Sequence, residues 1–420
     1  MNIKSFSGGA GCGKTYQLIQ ALSEWLILSP LQKGQKVLAL TFMHGSRRRL
    51  DERLRSLSAL EKKYECSTLD SFAYRIVRRW QSLVAEVGLE VPGVEDYEKV
   101  CDAAAAVLKH EIACRWVAAT FPLLLVDEAQ DLSPARLKVV RLLSAYIKVI
   151  AAADEFQCLD ESLRPNPAYD WLVSDGELLE LTIPRRTSVP ALIKAAADIR
   201  SGRPPISDGL FKIKLTPKAP FAGSWIANNI GWFGQSSKTA IITPVVGEFA
   251  KKVIEWVGGN TTKFRHGPYF IEWEISEVKA FEGVVAQLNL QANLSSMEIL
   301  EVMKECVDSR SKSDVIRWLD LQRRTQGKDV FSKLEIERVI QQSFSNRRRN
   351  QRDSGSRCRA MTVHGAKNRE FDNVVILWPA SVVGSDDQKR RLLYNALTRA
   401  KQRCLVLVQS SKSLTKPPFK

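Results

Sequence analysis

Short apolar runs alternate with longer stretches of helical period through the first half of the chain. Ile3–Phe6, Lys36–Thr41, Leu123–Val126 and Val149–Ala153 read as buried strands. Between them the period lengthens to that of helices, as where Leu18, Ile19, Leu22, Trp25 and Leu26 share one face. This strand–helix rhythm predicts a parallel, doubly wound α/β sheet. An Ala-rich helical stretch, Asp102 to Thr120, reads as part of a small insertion at about 81–120. Pro204, Pro205, Pro217 and Pro220 mark a less regular connector, and a second α/β set follows. Its strands are expected near Thr239–Thr243, Arg359–Val363, Asn373–Trp378 and Cys404–Val408. A mainly helical region from about Val285 to Arg357 interrupts this second set. Two cores follow from the pattern, over 1–187 and 188–420, the second carrying an insertion at about 285–357.

The chemistry concentrates first at the end of the opening strand. Gly8, Gly9, Ala10, Gly11, Cys12, Gly13, Lys14 and Thr15 form a glycine-rich loop of the spacing G-x-x-x-x-G-K-T, followed at once by a helix. Backbone N–H groups of such a loop wrap a triphosphate, and the helix N-terminus adds partial positive charge. Lys14 reaches the β- and γ-phosphates and the Thr15 hydroxyl ligates Mg²⁺. The matching acids stand at the end of the Leu123–Val126 strand, where Asp127 is placed for the Mg²⁺ shell. Glu128 is placed to orient and deprotonate an attacking water, which makes this a hydrolase site. Ser133 and Pro134 read as the N-cap and first residue of the next helix.

Charge widens the picture. Lys plus Arg number 62 against 46 Asp plus Glu, a formal +16, and this excess favours a polyanionic partner such as nucleic acid. Basic clusters fall at Arg47–Arg49, Arg78–Arg79, Arg323–Arg324 and Arg347–Arg349, and Ser345 to Arg357 reads as a flexible basic loop. Hydrophobic residues make up 45%, and no apolar run of about 18 residues exists, so no membrane partner is expected. The phosphate-loop strand starts the chain, leaving no room for a signal peptide, and a cytoplasmic location is expected. The eight cysteines form no C-x-x-C pair and suggest neither zinc nor an iron–sulfur cluster. Cys12, inside the loop, is expected to make hydrolysis sensitive to thiol reagents.

Seven further blocks follow the phosphate loop in a recognisable order: LALTFMHGSRRRLDERL, STLDSFAYRI, VDEAQDLSP, AAADEFQCLD, LTIPRRTS, MTVHGAKNREFDNVVIL and RRLLYNALTRAKQRCLVL. With them the chain, from residue 1 to about 410, resembles the UvrD/Rep-like branch of superfamily 1 helicases. The resemblance implies an α/β fold of two RecA-like P-loop NTPase cores with small helical insertions and ATP in the cleft between them. It implies that Gln157 senses the γ-phosphate or attacking water, and that Arg186 and Arg399 stabilise charge on the transferring phosphoryl group. Glu370 matches the acid near the nucleotide sugar. Thr41, His44, Thr68, Ser71 and Phe72 match DNA-contacting positions of the first core, and Thr362 and His364 those of the second. Hydroxyls there are expected to hold phosphates and Phe72 to stack on a base.

The chain departs from the family pattern at several points. Only seven residues precede Gly8, so the glutamine segment that contacts adenine is missing. Pro184-Arg185 replaces Asn-Tyr, and the Arg185 guanidinium is expected to cover the adenine face in place of the tyrosine. Cys158-Leu159-Asp160 replaces the usual aromatic after Gln157, Asp70 stands for a histidine and Asn368-Arg369 for Gly-Leu. The resemblance therefore implies an ATP- and Mg²⁺-dependent translocase moving 3′→5′ on single-stranded DNA, or on DNA with a single-stranded tail. The short insertions make translocation a safer expectation than processive unwinding. The other readings are a DNA-responsive ATPase subunit gating a partner nuclease, as in phage defence or recombination, and a small-molecule kinase. The kinase leaves the two C-terminal blocks unexplained.

Overall fold

Six parallel strands build the first sheet: β1 (Ile3–Gly8), β2 (Val37–Thr41), β3 (Tyr64–Thr68), β4 (Leu123–Val126), β5 (Lys148–Ala153) and β6 (Glu177–Leu181). Their order is β3-β2-β4-β5-β1-β6. β5 thus lies between the strand that feeds the glycine loop and the strand that ends at Asp127. The computed structural model describes residues 2–41, 44–93, 96–233, 237–274, 277–350 and 357–420.

The strands expected from apolar runs are those with a neighbour on both sides. β2 and β4 are buried at every residue, which produces the continuous apolar run of a central parallel strand. β3 and β6 were not expected. They are the two edges of the sheet, and at β6 only two of five residues are even half-buried. An edge strand covered on one side keeps polar positions and loses the signal. The Ala-rich stretch also differs from expectation. Helices Tyr97–Leu108 and Glu111–Thr120 do not form a separate insertion, because Val100, Cys101, Ala104, Cys114 and Val117 lie in the same apolar cluster as Leu124, Val139 and Leu143. Small side chains let helix Tyr97–Leu108 approach helices Leu69–Arg79 and Pro134–Ser144 closely.

The second sheet starts with β7 (Phe211–Leu215), β8 (Thr239–Thr243) and β9 (Glu272–Trp273). The chain then enters a separate compact unit, Glu274–Ser356, before returning. In that unit β10 (Asn293–Ser295) and β11 (Val330–Ser332) pair antiparallel, and helices Glu277–Leu288, Ser296–Lys304, Ser309–Gln326 and Lys333–Asn350 enclose Ile299, Met303, Val315, Leu319, Phe331 and Ile340. The last helix carries Ser345–Asn350, so the first part of the expected basic loop is helical. Arginine is a good helix former, and the segment extends a helix already nucleated upstream. Residues 351–356 lie outside the described residues. The chain resumes with β12 (Cys358–Thr362), β13 (Phe371–Trp378) and β14 (Ala400–Val408). All pairs of this sheet are parallel, in the order β7-β14-β13-β8-β12-β9. Both sheets belong to one compact unit, Met1–Trp273 with Arg357–Lys420. The fold is therefore two parallel α/β cores with helices on their faces.

The alanines of helix Tyr97–Leu108 set the spacing between three helices. Ala104→Leu, at a fully buried position, is expected to lower stability by about 1–3 kcal/mol, read as a drop in thermal midpoint by circular dichroism.

Candidate functional site

The loop after β1 turns into helix Lys14–Leu28 through two glycines that only glycine fits. Gly13, the N-cap, has φ 82°. Gly11 has the same φ, and a Cβ there would stand 2.6 Å from the Arg186 Cβ. Arg185 N–H donates to the Gly11 carbonyl at 2.7 Å, so the segment bearing both predicted arginines lies directly on the loop. Lys14 is buried, and its Nζ donates to the carbonyls of Gly8 (2.9 Å) and Gly9 (3.1 Å). The Ala10 N–H donates to the Tyr394 hydroxyl at 2.7 Å. Cys12 is buried, and burial pushes its thiol up from its ordinary range, which disfavours the reactive thiolate. The expected sensitivity to thiol reagents loses its support.

The acids meet the loop from β4. Thr15 Oγ1 donates to Asp127 Oδ2 at 3.2 Å, so the two predicted Mg²⁺ ligands are in contact. Burial and the neighbouring Glu128 push the Asp127 carboxyl up to about 6. That strain is what a bound divalent cation would relieve, and hard oxygen donors of this kind suit Mg²⁺. Among the described residues no cluster of three or more His, Cys, Asp or Glu could hold a metal. Glu128 occupies the left-handed region, φ 59° and ψ 44°, which turns its side chain out of the strand direction. Gln130 holds it there. The fully buried amide donates through Nε2 to Glu128 Oε2 (2.7 Å) and accepts from the Asp154 N–H through Oε1 (2.9 Å).

From the far side, β14 begins beside Arg399, which is 1% exposed. Its Nε donates to the Asn395 carbonyl and its Nη2 to Gln157 Oε1, both at 2.9 Å. Gln157 in turn donates to Asp154 Oδ2 at 2.7 Å. Burial, with Arg186 nearby, pulls the Arg399 guanidinium down to about 9. Arg186 reaches Glu370 (2.9 Å) and the Thr398 carbonyl (2.8 Å). Burial would raise the Glu370 carboxyl, but Arg186 and Lys401 hold it below its ordinary range. Glu370 thus ties down a cation in addition to facing the cavity. Arg185 lies 5.3 Å over the ring of Tyr16, a residue the motif reading passed over although it directly follows Thr15. These groups line one cavity of about 510 Å³. Lys14, Arg49, Arg53, Arg185, Arg186, Arg399 and Lys401 face only Asp127, Glu128 and Glu370 across it. That excess of cations suits a polyphosphate.

The nucleic-acid positions fare unevenly. Thr41 and Thr68 sit side by side at the ends of β2 and β3, and Thr362 pairs with Thr243 at the ends of β12 and β8. Thr41 Oγ1 is buried with no hydrogen-bond partner among the described residues. Thr68 caps helix Leu69–Arg79, accepting from the Ser71 N–H at 3.2 Å and donating to its hydroxyl at 2.7 Å. Ser71 and His364 are exposed, and Thr362 Oγ1 accepts from the Gly365 N–H at 3.0 Å. His44 opens helix His44–Arg55, and its side chain lies outside the described residues. Phe72 corrects the stacking expectation. It is 1% exposed, on the apolar stripe of its helix with Leu69, Ile76 and Val77, edge-on to Phe121 at 6.4 Å. No ring face remains for a base.

Two consequences can be measured. Phe72→Leu is expected to cost about 1 kcal/mol of stability and to leave single-strand affinity by fluorescence anisotropy unchanged. Folding lifts the Asp127 pKa from 3.8 to about 6, so its carboxylate form opposes folding at neutral pH. Asp127→Asn in chelator is therefore expected to stabilise the protein by roughly 1–3 kcal/mol near pH 7. The gain should vanish below the unfolded-state value of 3.8, where the acid is protonated in both states.

Residues 6–106 match the family model of the UvrD/REP helicase N-terminal domain, and residues 357–407 that of the UvrD-like helicase C-terminal domain. Among solved structures, the chain is similar to the Arterivirus nonstructural protein 10 helicase, at 11% identity and a TM-score of 0.41, covering 99% of this chain and 62% of that one. The same helicase in complex with DNA gives 12% identity and a TM-score of 0.40, covering 99% and 63%. The chain thus spans less than two thirds of those helicases. No curated protein matches it. The first matched segment carries the phosphate loop and the second carries Arg399, so the two sides of the cavity fall in segments similar to the UvrD/REP helicase N-terminal domain and the UvrD-like helicase C-terminal domain.

Proposed function

We propose that this protein is an ATP-driven translocase that moves on single-stranded DNA, or on DNA with a single-stranded tail. The observation that carries this reading is the contact of Arg399 with Gln157 at 2.9 Å, inside the cavity that holds the phosphate loop. A buried guanidinium hydrogen-bonded to neutral acceptors supplies charge that a phosphoryl group in transfer demands. It comes from the second core, whereas Lys14 and Glu128 come from the first. Hydrolysis then requires both cores in register, and product release permits them to separate. Thr15 and Asp127 would hold Mg²⁺, which supplies Lewis-acid neutralisation of phosphate charge. Glu128, held by Gln130, would take the proton of the attacking water. Arg185 over Tyr16 would flank the base. Thr41, Thr68 and Thr362 would hold backbone phosphates at the strand ends, and the 3′→5′ sense follows the family resemblance.

One observation favours the second reading, a DNA-responsive ATPase subunit serving a nuclease or other protein. Cys158 and Leu159, which replace the stacking aromatic, are 1% and 6% exposed, and Leu159 belongs to the second core's apolar cluster. That stretch offers no surface to a base, which weakens the grip needed for strand separation.

Steady-state ATPase with and without single-stranded DNA separates the two. A translocase is expected to show strong stimulation, and Arg399→Ala should lower kcat by about 10³-fold or more. Glu128→Gln should keep nucleotide affinity while losing turnover. Basal hydrolysis that ignores DNA would favour the partner-dependent reading, and hydrolysis surviving in Arg399→Ala would remove the assignment of that arginine.

A further inference from the structure

Asp154, the residue after β5, is wholly buried and shared by two cations of different origin. Lys14 Nζ of the phosphate loop stands 3.6 Å from its Oδ2. Arg200 Nη1 donates to its Oδ1 at 2.7 Å. Arg200 ends helix Pro190–Arg200, whose Leu192, Ala195 and Ile199 pack in the second core's cluster with Val406 and Leu393. The same guanidinium lies 3.4 Å from the Tyr394 hydroxyl, which accepts from the Ala10 N–H of the loop. Burial alone would push the Asp154 carboxyl up, but Lys14 and Arg200 hold it below its ordinary range.

A buried carboxylate needs a compensating cation, and stripping one away is costly. To reach a phosphate, Lys14 must release part of its attraction to Asp154 along with its bonds to the Gly8 and Gly9 carbonyls. The release is cheap while Arg200 neutralises Asp154. With Arg200 withdrawn, the Gln157 amide remains but Lys14 is left as the cation that must balance the carboxylate, and it is held back from the phosphates. We propose that Arg200 is a positioning residue that frees Lys14 for the triphosphate by neutralising Asp154, so that the placement of the second core sets the affinity of the loop in the first. The inference rests on the nucleotide reading of the site. It assigns a role to a residue that lies outside every motif block.

The test uses the full chain and methylanthraniloyl-ATP as a fluorescent probe, with KM and kcat measured in parallel. Arg200→Gln is expected to raise the probe Kd and the KM by about tenfold or more, with a smaller change in kcat. Asp154→Asn removes the trap and is expected to bind at least as tightly as the wild type. The double variant Asp154→Asn/Arg200→Gln is expected to follow Asp154→Asn, not Arg200→Gln. That rescue is the signature, since an arginine with only a structural role would leave the double variant as weak as the single one. Unchanged binding in Arg200→Gln, or a double variant that stays weak, overturns the inference. Should Arg200→Gln fail to fold, Asp154→Asn decides alone, and weaker binding there overturns it. A wild-type protein that does not bind the probe would instead overturn the nucleotide reading, so the two failures are distinguishable.

Discussion

The constraint on which the cleft depends is the burial of charge. Arg399 is 1% exposed, and among the described residues its guanidinium hydrogen-bonds to neutral acceptors, the Asn395 carbonyl, Gln157 Oε1 and Thr398 Oγ1. Nearby, Lys367 of the second core reaches Asp131 of the first at 2.6 Å, with both side chains largely withdrawn from water. Arg391 donates to the Glu155 carbonyl, and Arg164 bonds Gln388 across the same boundary. A seam made of apolar contacts alone would bind the cores more firmly than one carrying such pairs. Charges instead make the joint selective and reversible, because each pair is worth much in one geometry and becomes a cost when a partner leaves.

The same charges explain how the site is held together before any ligand is considered. Asp154, Gln157 and Gln130 form a continuous polar chain from Arg399 to Glu128, each link 2.7–2.9 Å long. It runs along the end of β5, the strand that lies between the glycine-loop strand and the acid-bearing strand. Sheet order therefore does chemical work. Placing β5 in the middle puts the residues that follow it within reach of Lys14, the Gln130–Glu128 pair and Arg399 of the opposite core at once.

How much of this was legible in the sequence depended on where a residue sits. Central strands such as β4 announced themselves as unbroken apolar runs, while the edge strands β3 and β6 kept polar positions and left no period to read. The glycine loop and the Asp127–Glu128 turn were readable because backbone geometry demands those residue types at that spacing. Gln130 and Tyr394 lie inside recognised blocks and Tyr16 directly follows one, yet nothing local shows that they touch Glu128, Ala10 and Arg185. Arg200 lies outside every block and acts through a contact 46 residues away in the chain. Phe72 failed for a different reason. An aromatic on a DNA-contacting helix and an aromatic in that helix's apolar stripe have the same sequence pattern, and only packing against Phe121 tells them apart.

The Tyr16–Arg185 pair shows how a lost motif residue leaves its chemistry partly intact. The usual tyrosine position holds Arg185. Yet the guanidinium lies 5.3 Å over the Tyr16 ring, and the Arg185 N–H is fixed to the Gly11 carbonyl. Flat groups of both kinds remain at the mouth of the cavity, with cation and ring carried by the two sides of the loop. What such a pair offers a base is stacking area and positive charge, neither of which reads a base edge. Recognition would then fall chiefly on the phosphates, where the cavity concentrates its seven basic side chains. A site of this composition would measure the charge of a polyphosphate more than the identity of a base.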